Sequence, residues 1–548
     1  MGQPIARAAY SDAGTGCRKK RRLRGNSADT CFNVTGHESE PTSDGSSSQE
    51  NLENQRYEEK QMTALAIPAT GASSAEISWD TINWQTVETY VHRLQMRIAK
   101  AAREGRHGKV KALQWLLTHS FHAKLLAVKR VVQNTGGKTP GIDHVIWKTA
   151  KQKMKAALSL KRRGYRTQPL RRIYIPKKDK RLRPLSIPPM KCRAMQALHL
   201  LALEPVVEMQ ADKNAYGFRP RRSTADAIEQ CFKILSKKTS AQWILEGDIK
   251  SCFDKISHTW LKNHVMMDKG ILGKWLTAGY IDKGHFYLTE QGTPQGAICS
   301  PTLLNVVLSG LEQVIKASAK TKDKVHVSIY ADDFIITGAS KEVLEYQVKP
   351  VVESFLRERG LELSVEKTKI TPINEGFNFL GVNIRKYRGK LIIKPSKESI
   401  KHLLNNVREI IKKSRATTTE NLIEQLNPRI RGWANYYRHV VSKETFAKVD
   451  AYIFKMLWKW AKRRHPKKNT HWLQKKYFRN QGLRRWLFHA KVQTDNGITK
   501  PLDLVEASRI TIRRHVKIRA EATPYNPAYE SYFKERKRQR FALRSWVS

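Results

Sequence analysis

Between residues 325 and 338 the apolar positions fall in two runs, Val325 to Ile329 and Phe334 to Ile336, joined through Tyr330-Ala331-Asp332-Asp333. The pattern predicts a β-hairpin with two acids at its turn. A second run, Trp243-Ile244-Leu245, predicts a strand that leads into Glu246-Gly247-Asp248-Ile249-Lys250-Ser251-Cys252-Phe253-Asp254, which puts a third acid at a strand end. Upstream, Val87, Tyr90, Val91, Leu94, Ile98 and Ala101 recur at helical spacing with basic residues on the other faces. A further helical run carries Val110, Leu113, Leu116 and Leu117, then Leu125 to Val131, and the Gly/Pro-dense segment 133–143 ends it as a loop. Residues 171–185 read as a strand, a short basic turn and a second strand beginning at Pro184. Helices are predicted from Lys191 to about Leu203 and from Ala225, the latter capped by Ser223 or Thr224. Beyond Pro395, one stripe runs from Ile400 through Leu403, Leu404, Val407 and Ile410 to Ile411. Another runs from Phe446 through Val449, Ile453 and Leu457 to Trp460, and together they predict a helical region.

Composition adds a partner. The 548 residues suffice for several domains with real cores, and 101 Lys and Arg stand against 49 Asp and Glu, a net charge of +52 spread along the chain. Such an excess implies a polyanion, with nucleic acid the first candidate. No run of 18 apolar residues and no signal-peptide core occurs, so a chain that does not enter a membrane is expected. Cys17, Cys31, Cys192, Cys231, Cys252 and Cys299 are scattered without C-x-x-C spacing, which argues against zinc ribbons and a disulfide framework. Residues 36–54 are too polar to offset the entropy of ordering, and a disordered extension is expected over 1–78. Within it lies the basic cluster Lys19 to Arg24, and Met62 is a candidate translation start that leaves residues 1–61 dispensable.

Adjacent carboxylates repel and raise each other's pKa unless a cation lies between them. A lone Asp-Asp pair also suits a turn for its own sake. With Asp248 added, three carboxylates lie on two strand ends, as two-metal phosphoryl transfer requires: two Mg²⁺ about 3.5–4 Å apart, bridged by acids. Tyr330-Ala331-Asp332-Asp333 following Asp248-Ile249-Lys250-Ser251-Cys252-Phe253-Asp254 resembles the palm of the group II intron-encoded reverse transcriptase and maturase family. The resemblance covers about residues 79–540 and implies an α+β right-hand polymerase, with fingers and palm on antiparallel sheet and a helical thumb.

It implies roles as well. Asp248, Asp332 and Asp333 hold two Mg²⁺ with the Ile249 carbonyl. Lys177 and Arg183 of the 171–185 hairpin grip the triphosphate, Phe253 lies under the sugar and selects dNTPs over NTPs, and Gln295 of Pro294-Gln295-Gly296 lines the pocket. Lys367, in Leu361 to Lys369, is the candidate proton donor to pyrophosphate, a solvated surface lysine being the other reading. Arg219, Arg221 and Arg222 are phosphate-contact candidates. Leu426 to Arg438 resembles the maturase domain, with Arg429 and Arg431 toward RNA and Trp433 and Tyr437 either stacking on it or packing in the core.

The expected domains are a disordered 1–78, a helical 79–150, fingers and palm 151–395, thumb and maturase 396–462, and a basic DNA-binding region 463–548. Since no cysteine follows Cys299, no zinc-linked endonuclease is expected. Expected partners are intron RNA, an RNA template with its DNA primer, target DNA and dNTPs, in a bacterial cytoplasm at the nucleoid or in an organellar matrix. The alternatives are a reverse transcriptase of a CRISPR-linked or defence system, and a splicing-only maturase without polymerase activity.

Overall fold

The computed structural model describes residues 78–176, 182–482, 484–493, 497 and 499–545. The expectations placed on residues 1–77 and on Lys177 concern residues outside those described.

The described chain begins with helices. Asn83 accepts from the Thr86 amide and caps α1 (Trp84–Arg103), whose buried stripe is Val87, Val91, Leu94 and Ile98. Then follow α2 (His107–His119), α3 (Phe121–Gln133) and α4 (Ala150–Leu158), the last started by a capping box of Thr149 and Gln152. Helices α1, α2 and α3 cover α5 (Met190–Gln210), which is buried on almost every turn because its side chains are apolar all round. Arg193 of α5 donates to the carbonyls of Pro188, Gly136 and Thr139 and so holds the glycine-rich loop from inside.

β1 (Leu170–Pro176) and β2 (Leu182–Ile187) form the expected hairpin, and α6 (Thr224–Leu235) follows it. Behind them lies an antiparallel sheet in the order β6-β7-β3-β8, made of β3 (Trp243–Asp248), β6 (His326–Tyr330), β7 (Asp333–Gly338) and β8 (Lys369–Pro372). β4 (Tyr280–Asp282) runs parallel to β1 and, with β5 (His285–Tyr287), widens the hairpin sheet. Val327, Ser328 and Ile329 are consecutive and all buried, so the sheet is covered on both faces. Continuous apolar runs rather than strict alternation follow from that burial.

A meander of β9 (Phe377–Phe379), β10 (Val382–Tyr387) and β11 (Lys390–Pro395) leads to α7 (Lys397–Lys413), α8 (Thr419–Tyr437) and α9 (Lys443–Arg464). Their stripes form a second core with Leu403, Val407, Phe446, Val449 and Leu457. The chain after 462, expected as a basic DNA-binding region, joins this core through Leu473, Tyr477, Phe478 and Phe488. α10 (Thr470–Tyr477) and a sheet of β12 (Phe478–Gln481), β13 (Arg484–Gln493) and β14 (Thr499–Asp503) set Tyr477 and Phe488 against Trp460, and Phe478 against Trp458. The segment from 504 then runs back to α6 and α5, where His515 meets Asp226 and Tyr525 meets Glu204, and α11 (Glu530–Ser545) closes the described chain.

Candidate active site

The register of β3 against β7 places Asp248 opposite Asp333, and Tyr330 faces Asp333 across the hairpin. Ala331 and Asp332 therefore form the turn, and Ala331 takes φ +57°, a left-handed conformation costing about 1–2 kcal/mol for a residue with a Cβ. Its surroundings hold it there. Tyr216 N–H donates to the Ile329 carbonyl (2.8 Å) and Ile329 N–H to that of Asn214 (2.9 Å). Gly217 packs so closely that a Cβ on it would stand 2.2 Å from the Ala331 nitrogen. Only glycine allows that approach.

Burial, then Asp332 and Asp248, push the Asp333 carboxyl up to about 6. Asp332 is raised by burial and by Asp248, with Arg183 and Lys367 opposing. The counter-cation is Lys367, whose Nζ donates to Asp248 Oδ2 at 2.8 Å and whose pKa is raised by that bond. It arrives there because the segment before it lies along β3's end: Lys250 N–H donates to the Glu362 carbonyl, Ile249 pairs with Leu363, and Ser364 N–H donates to the Asp248 carbonyl. Cys252 lies buried beside the same acids, which together with burial push its thiol up.

Among the described residues no three His, Cys, Asp or Glu side chains are closed into a metal-holding cluster; Asp248 is turned to Lys367 instead. The donor set nonetheless fits a hard divalent cation. It is all oxygen, it is crowded enough to raise two of its acids, and it already draws in a positive charge.

Around the acids, Arg183 lies on the exposed end of β2, opposite Ile175. Gln295 uses its backbone carbonyl to accept from Ser186 N–H (2.8 Å) and its side-chain amide to reach both Asp254 oxygens (3.3 Å). The half-buried Phe253 accepts from Thr293 N–H through its carbonyl (2.6 Å), which joins the two loops. The sequence reading missed Phe218. Its ring stands edge-on to Phe253, centroids 6.4 Å apart, yet is 48% exposed, and its φ is +56°. The available signal was an aromatic directly after Gly217.

Arg219, expected as a phosphate contact, is corrected, and of the two readings of Trp433 and Tyr437 the structure takes the core. Arg219 points inward: Nε and Nη2 donate to Glu208 (2.8 and 3.0 Å) and Nη1 to the Asp212 and Ala215 carbonyls (2.6 and 2.8 Å), with side chains 3% and 1% exposed. Each of its three nitrogens donates to protein. Trp433 and Tyr437, one turn apart on α8, both face α7. Trp433 Nε1 donates to Ser399 Oγ (3.1 Å), and the Tyr437 hydroxyl shares a 2.6 Å hydrogen bond with the same oxygen. Arg429 and Arg431 are exposed on the same helix.

Acids at the ends of two paired antiparallel strands, with a basic hairpin tied through the Gln295 loop to Asp254 just beyond β3, define a polymerase of the reverse-transcriptase class. The description "Reverse transcriptase (RNA-dependent DNA polymerase)" matches residues 175–384, "N-terminal domain of reverse transcriptase" 79–160, and "Group II intron, maturase-specific domain" 400–478. The chain belongs to the group II intron-encoded reverse transcriptase and maturase family. It is similar to protein YkfC of Escherichia coli, 31% identical over 309 residues, covering 48% of this chain and 80% of YkfC. It is also similar to the group II intron-encoded protein LtrA of Lactococcus lactis, 30% identical over 355 residues, 52% of this chain; the match spans 58% of LtrA's length. A solved structure of apo telomerase from Candida tropicalis is 14% identical over 56% of this chain and 63% of that one, with a TM-score of 0.36.

Proposed function

We propose that this chain copies an RNA template into DNA from a DNA primer, taking dNTPs, and that it binds its intron RNA as a maturase for splicing and for mobility into target DNA. The single observation behind this reading is the strand register that sets Asp248 against Asp333 and beside Asp332. Asp248, Asp332, Asp333 and the Ile249 carbonyl would hold two Mg²⁺. When bound, the metal supplies Lewis acidity that activates the primer hydroxyl and steadies the leaving oxygen.

The chain's own residues do the rest. Phe253, with Phe218 at its edge, forms the wall against which the sugar rests. Gln295 ties that wall to β2, and Arg183 offers a forked cation for phosphate oxygens; Lys177 has the same proposed role from outside the described residues. Lys367, kept charged by its bond to Asp248 and by the three acids, would give the proton to departing pyrophosphate. Arg429 and Arg431, on the exposed side of α8, face the intron RNA. Among the described residues no helix is long and apolar enough to cross a membrane. We place the activity at the nucleoid of a bacterial cytoplasm or in an organellar matrix.

Primer extension on an RNA template tests the reading. Wild type should extend, and Asp332→Ala should lose more than about a hundredfold, since even outer-sphere partners of a metal contribute 10–100-fold. Extension by Asp332→Ala at the wild-type rate would refute it.

A further inference from the structure

The loop 214–223 carries Gly217 against the catalytic turn and Phe218 against Phe253, and two of its non-glycine residues, Phe218 and Arg221, have φ of +56° and +63°. Such conformations persist only where the surroundings over-determine them. On one side the loop is fastened to the hairpin through Tyr216 and Ile329. On the other it is fastened to the far end of the chain.

Asp226, 0% exposed, is the main fastening point. Its Oδ2 accepts from Ser223 N–H (2.9 Å) and Ser223 Oγ (2.7 Å), which caps α6 at the loop's end. Its Oδ1 accepts from His515 Nε2 (2.8 Å), Ile518 N–H (2.8 Å) and Arg536 Nη2 (3.1 Å). Nearby, Arg222 Nη2 donates to the Ala520 carbonyl (2.8 Å), and Lys517 Nζ reaches Gln230 Oε1 (2.7 Å) and the Tyr216 hydroxyl (3.4 Å). Tyr525 donates to Glu204 on α5 (2.6 Å). A buried carboxylate shared by one local cap and three distant donors makes the capped loop end depend on the C-terminal chain.

We propose that residues 515–536 form a strap that positions loop 214–223 in the nucleotide pocket, with Asp226 as the buckle, Lys517 as a second tie, and both acting as positioning residues. The inference rests on the polymerase reading above for its kinetic consequence but not for its structural one. Loosening the strap lets Phe218 leave Phe253 while the three acids stay in place on their strands. The step weakened is the fit of the incoming sugar.

The test uses the full chain with Lys517→Ala, Lys517→Arg and Asp226→Ala. In Lys517→Ala and Asp226→Ala, amide exchange at Tyr216, whose N–H bonds Ile329, should quicken while β3 and α5 keep their protection. In primer extension Lys517→Ala should raise the KM for dNTP by about fivefold or more, proportionally more than kcat falls. It should also raise the ratio of ribonucleotide to deoxynucleotide incorporated. Lys517→Arg, which retains a donor, should stay near wild type. Unchanged exchange at Tyr216 would overturn the strap. So would a lowered melting temperature with wild-type KM and sugar ratio, which would leave the segment a purely structural element. Should Asp226→Ala fail to fold, Lys517→Ala decides alone. If wild type does not extend primers, the polymerase reading fails while exchange still judges the strap.

Discussion

Arg219 and Lys367 are both cations set against an acid, and their acidic partners decide opposite fates. Arg219 meets a buried carboxylate, Glu208, in a two-pronged pair. Removing one partner of a buried pair leaves the other charge uncompensated, so Arg219→Ala should lose about 3–5 kcal/mol of stability, read by thermal or denaturant unfolding. A loss below about 1 kcal/mol, typical of exposed pairs, would contradict the assignment. Lys367 stays 59% exposed and touches Asp248, an acid proposed to hold the metal. The acids themselves titrate in a testable window. Asp333 holds its proton in the folded chain up to about 6, whereas an unfolded Asp releases it near about 3.9. Between these values the folded state binds more protons, so stability falls as pH rises and is regained on acidification. Metal-free protein should therefore melt at higher temperature as pH drops from about 6 to about 4, and Asp333→Asn should remove that increment. A flat profile in wild type would show that burial and the neighbouring acids do not raise Asp333.

At the level of elements, the hairpin at 325–338 and the strand at 243–248 were legible because buried strands need uninterrupted apolar runs. The tight approach of Gly217 to the turn was not, because it arises between segments more than a hundred residues apart. Gly217→Ala should displace Ala331, since the atom in the way is backbone and cannot swing aside. Misplacing reacting groups by an ångström costs about a hundredfold, so kcat in single-turnover primer extension should fall on that order with the fold intact; wild-type kcat would refute the contact. For α8 the spacing of Trp433 and Tyr437 left stacking and core both open. Ser399, on a different helix, decides for the core. Arg219 looked like a phosphate ligand for the same reason: its partner acid lies eleven residues back, in the preceding helix, and nothing in the spacing marks it as buried.

Across the whole molecule, the net charge of +52 pointed to nucleic acid but said nothing of where the C-terminal chain would lie. Composition reads residues 463–548 as a basic arm. Their packing against α9, and the return of 515–536 to Asp226 some 290 residues earlier, depend on pairs too distant for any local pattern to show. What the sequence did carry was the chemistry, since three acids at two strand ends have few other uses in an apolar sheet. The most direct test is a change of ligand type at one of them. Asp332→Cys should be inactive in primer extension with Mg²⁺, which prefers oxygen, and regain activity with a thiophilic divalent ion such as Mn²⁺ or Cd²⁺. Full activity of Asp332→Cys with Mg²⁺, or a folded protein that no softer metal restores, would contradict the claim that this side chain holds the catalytic metal.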